Sequence, residues 1–167
     1  VVEFDEPMRS EEYAYQYRTE GYRLGQTWGY LIDWNSPGKG YFTSQEEIDN
    51  YYDYGIGVPR VGDFVYKDVN GDGVIDDKDI SPIGYSASIP GLNYGISLGV
   101  NFKGFDLNIL FAGLGRYSKF YEGQGVVECI KQGTYFEWTR NAWTEERYRN
   151  GDKISYPALS VDKTTSH

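Results

Sequence analysis

From residue 92 to residue 112 apolar side chains recur at every second position. Leu92, Tyr94, Ile96, Leu98, Val100 and Phe102 take the even places, and Asn93, Gly95, Ser97, Gly99 and Asn101 the odd ones. Successive side chains of a pleated strand point to opposite faces, so the run predicts an 11-residue strand with one apolar face. After Lys103-Gly104 the alternation resumes, with Phe105, Leu107, Ile109 and Phe111 on one face and Asp106, Asn108, Leu110 and Ala112 on the other. Two residues ending in Gly between two such runs predict a hairpin. Its register places Phe102 opposite Phe105, Val100 opposite Leu107, Leu98 opposite Ile109 and Ile96 opposite Phe111, with Asn101 meeting Asp106 behind.

The length of this hairpin bears on which solvent its apolar face meets. Strands of soluble sheets usually run to about 5–6 residues. Eleven residues at about 3.3 Å each, tilted near 45°, project to about 26 Å, the height of the apolar band of an outer-membrane barrel. The Gly, Ser, Asn and Asp residues behind suit a wet lumen, and Phe102, Phe105 and Tyr94 stand where aromatic girdles belong. A lipid-facing barrel hairpin and a long soluble hairpin both fit the alternation. In a barrel, the two-residue turn is periplasmic. Closure takes at least about eight strands, so the chain would be a fragment.

Elsewhere the pattern is less regular. Tyr13, Tyr15 and Tyr17 alternate with Glu12, Ala14, Gln16 and Arg18, which is strand-like. "EGYRLGQTWGY" and the turn-rich "DWNSPGKG" read as loop. Ser44 followed by Glu47 is a capping-box pattern and predicts a short helix over roughly residues 45–53. From Gly55 to Gly91 the density of Gly, Pro and acidic residues predicts a loop region with little regular structure. The organisation expected is therefore 1–30 as barrel strand and outer end, 31–91 as an extracellular loop region, 92–115 as the transmembrane hairpin and 116–167 as a second extracellular loop region.

Composition supports a mainly β fold, since 17 Tyr and 21 Gly among 167 residues are both far above ordinary usage. The net charge of −9, without a Lys/Arg cluster, leaves no basis for attraction to a phosphate backbone, so nucleic acid is not an expected partner. No stretch is long and apolar enough for a transmembrane helix, and the first residues lack a basic-then-apolar leader pattern. The single Cys129 excludes an internal disulfide within this sequence.

The sharpest chemical motif is "DVNGDGVIDDKD", residues 68–79. Asp68, Asn70 and Asp72 supply side-chain oxygens at positions 1, 3 and 5, and Gly73 allows the sharp turn at position 6. Val74 offers its carbonyl at 7, and Asp76 and Asp79 fall at 9 and 12. A hard cation takes six to eight oxygens, and this spacing wraps them round one point, so the loop reads as an isolated EF-hand-like calcium loop. The alternative is a solvated acidic turn. Position 12 is Asp rather than Glu, and the flanks are not amphipathic helices, which argues against a sensor that opens a groove.

The acidic pairs Glu46/Glu47, Asp76/Asp77 and Glu145/Glu146 lack any fixed separation that would make them glycosidase carboxylates, and His167 has no catalytic partner; no enzymatic activity is expected. Tyr135, Phe136, Trp138, Trp143 and Tyr148 form an aromatic cluster that either packs a loop or stacks on sugar rings.

Five segments in order, "EGYRLGQTWGY", "SQEEIDNY", "VGDFVYKDVNGDGVIDDKDISPIG", "IPGLNYGISLGVNFKGFDLNILFAGLG" and "RNAWTEERYRNGDKISYPALS", resemble the C-terminal part of the SusC/RagA-type TonB-dependent outer-membrane transporters of Bacteroidetes. The resemblance spans roughly residues 20–160. It implies a large barrel in the outer membrane, capped by a SusD-like surface lipoprotein, that imports oligosaccharides or peptides with energy delivered through TonB. The plug and TonB box belong to a part not represented in this sequence. The resemblance leaves wall strands and outer loops for these residues, with calcium stiffening the loop at 68–79. The alternative of another class is a soluble calcium-stabilised module that binds glycan.

Overall fold

The computed structural model describes residues 21–119 and 135–160; the strand-like run at 12–18, Cys129 and His167 lie outside the described residues. The described chain is mainly β, built of three two-stranded sheets and a few short helices. Strand β1 (Gln26–Gly29) pairs antiparallel with β4 (Ser81–Ser86), β2 (Asp53–Tyr54) pairs parallel with β3 (Val74–Ile75), and β5 (Leu92–Phe102) pairs antiparallel with β6 (Phe105–Gly115). Helix α1 covers Gln45–Asp49 and α2 covers Glu145–Asn150. No closed barrel forms among the described residues, and no helix there is long and apolar enough to cross a membrane.

The β5–β6 hairpin has the expected register residue for residue, from Phe102↔Phe105 to Ile96↔Phe111. Lys103 (φ 49°) and Gly104 (φ 84°) both occupy the left-handed region, which fits the right-handed twist of the flanking strands. The register continues to Tyr94↔Gly113 and Leu92↔Gly115, and the Tyr94 ring occupies the space where a Gly113 side chain would stand. On the reverse face Asn101 donates to Asp106 near the turn, while Leu110 and Leu114 make the far half more apolar than the turn half. Both faces of β5 are exposed along its whole length.

Residues 31–91 hold little regular structure, yet they pack a core. Phe42, Val65 and Ile75 are completely buried and form a core with Tyr54 and Tyr66, flanked by Tyr30, Ile32, Ile48, Tyr51, Ile56 and Phe64. Burial of each such side chain contributes about 1.5–3 kcal/mol. Long-range single bridges, Ile32↔Tyr66 and Tyr41↔Phe64, hold the chain where strands are too short to do so. Tyrosine hydroxyls complete the backbone pairing. Tyr51 Oη donates to the Tyr66 carbonyl (2.9 Å), and Tyr54 Oη donates to the Phe64 carbonyl (3.2 Å) while accepting from the Tyr66 N–H (3.0 Å). Burial pushes the Tyr54 phenol far above its ordinary range and that of Tyr51 up to about 12, so both stay neutral donors. Tyr51 and Tyr54 thus serve a core in which side chains satisfy backbone groups that no ladder reaches.

Two local expectations also shift. Helix α1 begins at the Ser44 cap, whose Oγ accepts from the Glu47 N–H (3.2 Å), but Glu47 Oε2 reaches past the cap to the N–H (2.8 Å) and Oγ1 (2.9 Å) of Thr43. It ends at Asn50 rather than 53, where the Asn50 side chain folds back onto the Glu46 carbonyl (2.8 Å) and frees Asp53 to enter β2. "EGYRLGQTWGY" is not all loop, since β1 lies within it. Its partner β4 contains Pro82 and Gly84, residues that a two-stranded sheet tolerates on an open edge.

Candidate functional site

The loop at 68–79 springs from the core at one point. Parallel pairing of β2 with β3 sets the Gly73 and Ile75 carbonyls toward the N–H groups of Asp53 (3.3 Å) and Gly55 (2.9 Å). Carbonyls alternate along an extended strand, so the Val74 carbonyl between them points away from β2. Gly71 and Gly73, at φ 80° and 84°, supply the left-handed residues that curl the loop back.

Two carboxylates hold that curl. Asp68 accepts from the N–H groups of Gly71 (2.6 Å) and Gly73 (2.8 Å). Asp79 is fully buried and ties the two ends of the loop together; Oδ1 accepts from the N–H of Val69 (2.7 Å) and Asn70 (3.4 Å), and Oδ2 from the N–H of Asp76 (2.9 Å). Asp76 Oδ1 in turn accepts from the Lys78 N–H (2.8 Å), capping a 3-10 turn over Asp77–Asp79.

The remaining ligand candidates sit on the outer side. Asn70 Oδ1 accepts from the Asp72 N–H (2.9 Å), and Asn70 Nδ2 donates to Asp72 Oδ2 (3.0 Å). The Val74 N–H bonded to Asp72 (3.0 Å) holds its carboxyl below the usual range, with Asn70 and the Lys78 ammonium adding to the effect. Lys78 Nζ lies 3.8 Å from Asp72 and 3.9 Å from Asp76, a tethered cation between two of the proposed ligands.

The six residues named from the sequence, Asp68, Asn70, Asp72, Val74, Asp76 and Asp79, therefore belong to one small loop. Among the described residues, however, no three His, Cys, Asp or Glu side chains converge closely enough to hold a metal ion. The donor chemistry is all oxygen and suits a hard cation. The carboxylates are turned onto N–H groups of the loop itself.

The acidic pairs have structural partners: Glu47 caps Thr43, Glu145 bonds Arg149, and Asp77 accepts from Tyr30 Oη (3.3 Å). The aromatic cluster divides. Trp143 is buried, its ring against Gly62, whereas Trp138 is exposed and stacks on Phe136 at 4.5 Å. Sequence reasoning passed over Trp34, whose signal was an indole set in the polar turn "DWNSPGKG". It borders a cleft of about 540 Å³ between the 34–41 turn and the end of α2.

No protein-family model matches the chain, and no curated protein matches it.

Proposed function

We propose that the chain forms wall strands and outer loops of a TonB-dependent outer-membrane transporter of the SusC/RagA type, importing oligosaccharides or peptides together with a SusD-like surface lipoprotein. The observation that carries this reading is the β5–β6 hairpin. Leu92, Ile96, Leu98, Val100, Phe102, Phe105, Leu107 and Phe111 are all at least half exposed on one continuous face, and the sheet has only two strands among the described residues. So large an apolar face needs a cover, and two open 11-residue edges need partners. Acyl chains and neighbouring barrel strands supply both.

The test is depth-resolved quenching in lipid vesicles. With single Trp probes on a background lacking the other indoles, bromine-labelled acyl chains are expected to dim a Trp at Leu98 strongly and one at Ser97 weakly. Equal dimming at the two sites removes the proposal.

Calcium belongs to the same reading. Asp68, Asn70, Asp72, Asp76, Asp79 and the Val74 carbonyl would hold the ion, which would neutralise the acidic loop and stiffen the outer surface. Lys78 would have to leave Asp72 and Asp76, so its ammonium competes with the ion. Calcium is expected to slow proteolysis within residues 60–85 of the parent chain and to have no such effect in the Asp68→Ala/Asp72→Ala double variant, each compared with its own calcium-free control. Protection that survives in the double variant rules the loop out.

The second reading, a soluble calcium-stabilised glycan-binding module, draws on the core around Phe42, Val65 and Ile75, which packs without the hairpin. A monomer that stays in solution without detergent, hairpin included, selects it.

A further inference from the structure

The cleft beside Trp34 has one wall from a turn and the other from a helix end. The turn is tightly held. Ser36 Oγ accepts from the Gly40 N–H (2.9 Å), Asp33 Oδ1 from the Asn35 N–H (3.1 Å), and the Ser36 carbonyl from the Lys39 N–H (2.9 Å). A Cβ on Gly40, whose φ is 92°, would lie 2.8 Å from Cε3 and 2.9 Å from Cζ3 of Trp34, so the indole rests directly on backbone that only glycine provides. Tyr41 meets it edge-on, with ring centroids 6.5 Å apart. Trp34 is nevertheless 60% exposed. One ring face is fixed and the other is open, so little side-chain entropy remains to be lost when something stacks there.

The second wall is the C-terminal end of α2. Thr144 caps the start of this helix through the Arg147 N–H (3.2 Å), and Gly151, at φ 72°, ends it. Tyr148 Oη donates to the Pro37 carbonyl (3.4 Å) and ties helix to turn. Arg149 and Asp152 from this end, and Lys39 from the turn, border the cleft with Trp34.

We infer that this cleft is a binding subsite for a neutral oligosaccharide, with Trp34 as the platform for a pyranose ring. The weakly positive C–H groups of a sugar face meet the negative face of the indole. Hydroxyls at the ring edge donate to the Asp152 carboxylate and accept from Arg149 and Lys39; with Glu145 paired to Arg149 the charges balance and select neither an anion nor a cation. The volume, about 540 Å³, falls within the usual span of small-ligand sites. Peptides are often recognised by strand addition along a sheet edge, and a turn and a helix end present no such edge here. As a statement about cargo, the inference rests on the transport reading and favours its sugar arm; as a statement about binding, it rests on the cleft alone.

The experiment is titration of the full chain, kept in detergent, with gluco-, xylo-, manno-, galacto- and fructo-hexasaccharides, and with a tryptic casein digest, by calorimetry. At least one sugar is expected to bind. Trp34→Ala should weaken that binding at least tenfold and Trp34→Phe less, while Trp138→Ala stays within twofold. Thermal unfolding of each variant reports whether it folds, and Trp34→Phe carries the comparison if Trp34→Ala does not. Absence of binding by every sugar, binding indifferent to Trp34, or Trp34-dependent binding of the peptides alone overturns the subsite. None of these results bears on lipid quenching at Leu98, so the two readings fail separately.

Discussion

Replacing Asp79 by Ala is expected to destabilise the 53–86 region by about 3–4 kcal/mol with calcium removed by chelation, read as a lower denaturation midpoint in guanidinium. The side chain is fully buried and its two oxygens accept from three N–H groups, those of Val69, Asn70 and Asp76. A truncated acceptor leaves these donors without partners, and each buried unsatisfied group costs about 1–3 kcal/mol, less where water can enter. Asn70 at 3.4 Å is the weakest of the three, which keeps the sum toward the lower end. Asp79→Asn should be intermediate, about 2 kcal/mol, because the amide retains one acceptor oxygen and turns its NH₂ toward a donor. The effect reaches the core because Asp79 lies four residues past Ile75, whose carbonyl accepts from Gly55 across β2–β3. A loss below about 0.5 kcal/mol for Asp79→Ala, typical of a surface change, would mean that the carboxylate is not the clasp of this loop. The calcium-free measurement matters, since a ligand role would add a second, calcium-dependent loss.

Asp79 also marks the limit of what could be read from the chain. Its place at position 12 of an oxygen-rich loop was legible, but its burial and its grip on Val69 and Asp76 were not, because the spacing of acids is the same whether they face an ion or the loop's own N–H groups. The hairpin was legible to the residue. A period of two fixes which side chains share a face, and a two-residue turn fixes the register, so nothing distant has to be known. The start of α1 was legible for a similarly local reason, the Ser44 cap.

The core at 31–91 was not legible. Phe42, Val65 and Ile75 stand among turns, in strands of two residues or in single bridges, and no window of sequence shows their periodicity. Gly and Pro there mark where the chain bends, and aromatic rings between the bends do the packing. The abundance of Tyr pointed to a mainly β fold and no further. Tyr51 and Tyr54 supply hydroxyls to the carbonyls of Tyr66 and Phe64, pairings fixed only once segments 10 or more residues apart have met.

Leu98→Arg in the transporter reading is expected to cost about 2–4 kcal/mol, the penalty for an arginine near the midplane of a lipid-facing barrel wall. Ser97→Arg, one residue away on the reverse face, is expected to cost less than about 1 kcal/mol, since a wet lumen hydrates the guanidinium and the opposing Leu110 is itself largely exposed. The comparison is clean because the two sites share strand and nearly the same depth, and face opposite sides. Leu98 pairs with Ile109 and Ser97 with Leu110. Phe102→Arg, beside the turn, should fall to about 0–1 kcal/mol, because the penalty declines toward the membrane surface where the side chain can reach water. Folding of the whole barrel protein into phosphatidylcholine vesicles, titrated with guanidinium, measures all three. In a hairpin surrounded by water on both faces, Leu98→Arg and Ser97→Arg would each change stability by about 0.5 kcal/mol or less, since Leu98 is already half exposed. A large cost at Leu98 that does not diminish at Phe102 would instead indicate a protein partner packed evenly along the face, because a bilayer alone makes the penalty depend on depth.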